Sequence, residues 1–163
     1  MRCSKNRKSS RRWIGWVIVA VFLTMGAGLL LPGCLSTSFR PPRGKTPVVM
    51  TFEVTGYCNC GTCCGWERSW FGLGTPVFSA GPNKGQRKQI GITASGAKAR
   101  HGTVAADTAV LPFGTIIYVP GYGYGKIMDR GGAIKGRSLD LWFSSHTAAQ
   151  TWGRRKVKVK VWR

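Results

Sequence analysis

Three aspartates, Asp107, Asp129 and Asp140, are the side chains of this sequence best suited to acid–base chemistry. The chain carries only five acidic residues against twenty-five Lys and Arg. These three lie in apolar or glycine-rich surroundings, "VAADTAVLP", "IMDRGGAIKG" and "SLDLWF". A carboxyl group in low-dielectric surroundings holds its proton more tightly. One that titrates near the working pH can serve as a general acid. Gly131 and Gly132 remove side chains next to Asp129 and so allow a bulky substrate close to the backbone. If Leu139 and Leu141 face a core, strand alternation puts Asp140 on the face of Ser138 and Trp142. The competing expectation is structural: Asp107 caps a turn, and Asp129 and Asp140 pair with Arg130 and Arg137.

Cys58, Cys60, Cys63 and Cys64 form a second group, spaced C-x-C-x-x-C-C. Four thiols this close can bind zinc, but structural zinc sites usually pair two separated knuckles. Adjacent Cys63 and Cys64 fit that pattern poorly. In an exported chain two disulfides are the simpler expectation, with zinc the alternative. Spacing does not choose among the three connectivities. His101 and His146 are isolated in sequence and read as surface or helix residues rather than ligands.

The elements that must position these groups are short. "VVMTFEVTGY" (48–57) alternates weakly and predicts a first strand. Residues 58–92 have little periodicity and predict a long structured loop or a pair of loops. "TIIYV" (115–119), "GKIM" (125–128) and "SLDLWF" (138–143) predict strands separated by Gly and Pro turns. "GYGYG" (121–125) lacks the strand–loop–helix setting of a phosphate loop and reads as a hairpin turn. "SSHTAAQTWG" (144–153) has a Ser N-cap and a closing Gly, so it predicts a short helix. "KVKVKVW" (156–162) predicts a half-buried strand with its Lys outward. The pattern is all-β, about six strands and one helix, which a small barrel closes without open edges.

Upstream, "MRCSKNRKSSRR" is basic, and Trp13 to Leu31 carries no charge. That order predicts an export signal or a membrane anchor over residues 1–34, with the basic end cytoplasmic. "LLLPGC" resembles a lipoprotein lipobox, which makes Cys34 the lipidation candidate. An uncleaved helix and a lipid anchor both leave the remainder outside the cytoplasmic membrane. Residues 35–47, rich in Pro and Gly, predict a linker, and residues 48–163 the folded domain. Residues 1–34 hold six of the basic residues and no acidic ones, so nineteen bases still face five acids in the rest. Such a charge attracts anionic partners. Export argues for wall polymers or lipid head groups and against nucleic acid.

"TASG" (93–96), "GTVAADTAVLPFGTIIYVPGYG" (102–123) and "DRGGAIKGRSLDLWF" (129–143) together resemble the 3D domain, named for three aspartates. That family includes bacterial wall-remodelling proteins and the core of membrane-bound lytic transglycosylase A. The resemblance implies a six-stranded double-psi β-barrel. It implies a peptidoglycan lytic transglycosylase that cleaves the MurNAc–GlcNAc bond and leaves 1,6-anhydroMurNAc, with no cofactor. Asp129 falls on the general acid/base, and Asp140 and Asp107 on the other two named aspartates. Thr93, Ser95, Gly131, Gly132 and Lys135 become glycan contacts, and Trp142 a platform for a sugar ring. Arg130 stands where the family commonly has Thr, which puts a cation beside Asp129. The rival implication is a non-catalytic, expansin-like wall-binding module.

Overall fold

The computed structural model describes residues 39–163. The proposed anchor over residues 1–34, with Cys34, lies outside the described residues. The elements in chain order are β1 (Val48–Tyr57), α1 (Gly61–Cys64), β2 (Trp66–Arg68), β3 (Pro76–Phe78), β4 (Thr103–Ala106), β5 (Ile116–Val119), β6 (Gly123–Asp129), β7 (Ser138–Trp142), α2 (His146–Trp152) and β8 (Arg155–Trp162). Six strands close a barrel in the order β1-β7-β4-β6-β5-β8. The expected all-β barrel with a short helix is therefore present. Two neighbours run parallel, β1 with β7 and β4 with β6, and the other pairs are antiparallel. Among the described residues no helix is long and apolar enough to cross a membrane.

Alternation explains most of the barrel. In β8, Val159 and Val161 are buried while Lys156, Lys158 and Lys160 are exposed. In β7, Leu139 and Leu141 are buried and Ser138, Asp140 and Trp142 face the other way. These residues meet Phe52, Val54, Val104, Ile117, Val119 and Ile127 in one core. Leu141 pairs with Gly56 on one side and Val104 on the other and is fully buried. We expect Leu141→Ala to lower unfolding free energy by about 3 kcal/mol, from lost transfer energy plus a cavity. Urea titration followed by tryptophan fluorescence measures this.

Several local features depart from expectation. β4, "TVAA", is buried at every position, so it lacks the alternation that marks a half-exposed strand. Residues 58–92 contain the short helix α1 and a β2–β3 ribbon outside the barrel. Only residues 120–122 of "GYGYG" and its flank turn, and Gly123–Gly125 already belong to β6. Helix α2 starts one residue later than the first serine allows, because Ser145 is the N-cap: its side chain accepts from the Ala148 N–H. Residues 39–47 form no strand or helix, yet they touch the barrel: the Trp162 indole N–H donates to the Lys45 carbonyl.

Gly56 shows how α2 reaches the barrel. A Cβ there would lie 2.9 Å from the Phe143 ring and 3.1 Å from the Ala149 carbonyl oxygen. Only hydrogen fits at that position, so β1 and α2 approach closely. That approach places His146 beside the segment that follows β1.

Candidate active site

Asp140 and Asp129 line one cavity of about 480 Å³ at the end of the barrel. This volume lies within the usual range for sites that enclose a small ligand. Parallel pairing of β1 with β7 sets the geometry. Thr55 lies opposite Asp140, and Tyr57 lies two residues further along the same face. The Thr55 hydroxyl donates to Asp140 Oδ1 at 2.9 Å. The Tyr57 hydroxyl donates to Asp129 Oδ2 at 3.1 Å. Asp129 Oδ1 accepts the backbone N–H of Ala94 at 2.9 Å and that of Arg130 at 2.9 Å. Asp129 is thus held by three donors, and Asp140 by one.

The two carboxyl groups differ electrostatically as well. Burial pushes the Asp140 carboxyl up to about 6; the Thr55 hydrogen bond pulls it down, Asp129 pushes it up again and Arg154 pulls it down. A carboxyl in that range is partly protonated near neutral pH, as a general acid requires. Burial, and then the neighbouring Asp129, push the Tyr57 phenol far above its usual value, so it stays a donor.

The remaining walls mix aromatic, aliphatic and glycine residues with a few polar ones. Gly131 and Gly132 border the cavity, with Trp66 and Phe78 from the β2–β3 ribbon. Lys88 lies 4.5 Å over the Phe78 ring and donates to the Cys64 carbonyl. Asn59 ties two indoles together: its carbonyl accepts from Trp66 Nε1 at 2.9 Å and its Oδ1 from Trp142 Nε1 at 2.8 Å.

Several expected site residues have other places. Asp107 lies off this cavity, on the far side of the 130–134 segment. It accepts from the Ala109 N–H at 3.0 Å and the Gly136 N–H at 2.8 Å, bonds that hold its carboxyl below the usual range. It caps its own turn and pins the loop that follows Asp129. Lys135 lines the same outer depression as Asp107. Thr93 is buried and bonds the Ala97 carbonyl and N–H, with Ser95 Oγ at 3.1 Å. Thr93 and Ser95 therefore build the turn that aims the Ala94 N–H at Asp129. Trp142 is fixed by Asn59 and does not line the cavity. Arg130 is exposed at the rim and forms no ion pair with Asp129 among the described residues; the ion pair there is Glu53 with Arg154. The alternative pairing of Asp140 with Arg137 is likewise absent among them.

The cysteines also depart from the favoured expectation. Cys58, Cys60, Cys63 and Cys64 are all free thiols, not two disulfides. His146, expected to be no ligand, lies against them: its Nδ1 is 3.4 Å from Cys60 Sγ and 3.3 Å from Cys63 Sγ. His101 packs its ring against Tyr122, 4.6 Å between centroids. Thr55, Tyr57, Asn59 and His146 were not legible as site residues, because their roles depend on the β1–β7 pairing and on the approach of α2.

Residues 102–163 match the 3D domain family. Over 75 residues the chain is 37% identical to YabE of Bacillus subtilis (strain 168), named for cell wall shaping, a match covering 44% of this chain and 18% of that protein. It is 40% identical over 75 residues to the cell wall-binding protein YocH of the same organism, covering 44% of this chain and 26% of that one. The chain thus matches about a quarter or less of the length of these relatives. The crystal structure of MltA from E. coli is 24% identical, with a TM-score of 0.37, covering 42% of this chain and 26% of MltA. The family match begins after β1, so Thr55 and Tyr57 lie outside it.

Proposed function

We propose that this chain is an exported, envelope-located peptidoglycan lytic transglycosylase whose proton carrier is Asp140. The observation that carries the reading is the raised Asp140 carboxyl beside Asp129 in a cavity walled by Tyr57, Trp66 and Phe78. The 3D domain over residues 102–163 and the wall-related names of its relatives supply the polymer. The basic surface favours attraction to an anionic wall. The residue expected from motif position to be the acid was Asp129. Its three donors suit it better to a fixed acceptor that orients the site and raises Asp140.

The chemistry balances with one mobile proton. Protonated Asp140 gives its proton to the glycosidic oxygen as the bond to the anomeric carbon of MurNAc breaks. The carboxylate left behind accepts the proton of the sugar's own 6-hydroxyl as that oxygen bonds to the anomeric carbon. The product is 1,6-anhydroMurNAc, and Asp140 returns to its starting state. Hydrolysis would instead require a second carboxyl free to activate water. Asp129 Oδ1 already accepts two backbone N–H groups and Oδ2 the Tyr57 hydroxyl. Trp66 and Phe78 offer ring faces for the sugars, in place of Trp142.

The test is mass spectrometry of fragments released from purified sacculi. Anhydro ends, one water lighter than reducing ends, are the expected result. Reducing ends would make the chain a hydrolase. Binding without release would favour the second reading, a non-catalytic wall-binding module, which the name of YocH supports.

A further inference from the structure

We propose that Cys58, Cys60, Cys63 and His146 form a structural zinc site that fixes one wall of the cavity. Their ligand atoms all lie within 4.8 Å of one another. The spacing is that of ligands around one ion. A tetrahedral zinc with bonds of about 2.3 Å to sulfur and 2.0–2.1 Å to nitrogen holds sulfurs roughly 3.7 Å apart, and sulfur roughly 3.5 Å from nitrogen. Cys58 Sγ and Cys63 Sγ are 3.8 Å apart. The two sulfur-to-Nδ1 distances, 3.4 and 3.3 Å, agree as well. A disulfide would bring its sulfurs to about 2.05 Å.

The local backbone is built for a thiolate knuckle. Cys60 to Cys63 is a C-x-x-C step wound into α1, and Cys60 Sγ accepts the Cys63 N–H at 3.4 Å. Gly65 ends the turn with φ +58, a left-handed conformation that glycine adopts without strain. His146 comes from the first position of α2, which Gly56 lets approach β1. Cys64, adjacent to Cys63, is not a fourth thiol ligand: its Sγ donates to the Cys58 carbonyl at 3.1 Å. Three sulfurs and one imidazole gathered around one point suit zinc among the common metals. Four protein ligands leave no open position, so the ion is structural. It would join the end of β1 to α2, directly after Tyr57 and around Asn59. Those two residues hold Asp129 and the two indoles: the Tyr57 hydroxyl bonds Asp129, and the Asn59 backbone carbonyl and side-chain Oδ1 accept from Trp66 and Trp142.

The inference does not depend on the glycan reading, because its readouts are metal and spectra. The full chain, purified without reductant, should carry about one zinc by elemental analysis. All four thiols of residues 58–64 should react once the protein is unfolded with a chelator. Cobalt substitution of the native chain should give charge-transfer and d–d bands of tetrahedral thiolate coordination. His146→Ala should weaken zinc binding in chelator competition by more than about tenfold, since outer-shell changes alone cost 10–100-fold. His146→Cys should restore it, and Cys64→Ser should leave it unchanged. Disulfides among these cysteines in the purified chain would overturn the proposal. So would native protein that takes up no cobalt, or zinc lost with Cys64→Ser but kept with Cys60→Ser. The cobalt spectrum needs no variant, so misfolding of a mutant does not obscure the result.

Discussion

Asp140→Asn is expected to abolish release of fragments from sacculi while flattening the dependence of stability on pH. The loss in rate should be roughly 10²–10⁴-fold, the range for removal of a positioned general acid. The stability effect follows from burial. Asp140 titrates at about 6 in the fold against 3.8 for an ordinary aspartate. A raised folded value means the native state binds the proton more tightly than the unfolded chain does. The stabilisation is complete below pH 4 and is lost as pH rises through about 6. The full span between the two states is on the order of 3 kcal/mol. Asn carries no charge to bury, so the variant should lack this loss. Urea midpoints at pH 5 and pH 8 measure it: the native protein should fall more than the variant. Equal falls would show that Asp140 is not the group held protonated, and full activity in the variant would remove it from the chemistry.

The strands that alternate were legible in the sequence, and those buried on both faces were not. β1 and β8 stand close to where "VVMTFEVTGY" and "KVKVKVW" put them, because one face of each meets solvent. β4 carries no alternation because "TVAA" is buried throughout. The helix α2 was marked by Ser145 and Gly153, two residues whose preferences are local. The site divides in the same way. The three aspartates could be found from their flanking residues, but not which of them meet. Asp140 and Thr55 are joined across 85 positions by a parallel strand pairing. Asp107 shares a motif with them yet spends its oxygens on nearby backbone N–H groups. The thiols were visible as a group, whereas His146 joins them only through the packing of α2 on Gly56, which no periodicity records.

Asp129→Asn separates the two aspartates by their effect on the pH profile. The negative charge of Asp129 is one of the influences that raise Asp140. Its removal should lower the Asp140 carboxyl, although burial, the largest cause, remains. Asp140 acts in its protonated form, so activity falls as pH rises through its pKa. The falling limb, near 6 in the native protein, should therefore move to lower pH. For each unit it moves, activity at pH 7 drops about tenfold. At low pH, where Asp140 is protonated in both proteins, much of the activity should return. Tyr57→Phe provides the contrast: it removes a donor to Asp129 but no charge, so the limb should stay in place while the rate declines. The measurement is kcat/KM on soluble glycan strands from pH 4 to pH 8. If Asp129 itself carried the proton, its Asn variant would be inactive at every pH. Recovery in acid is the result that assigns the proton to Asp140.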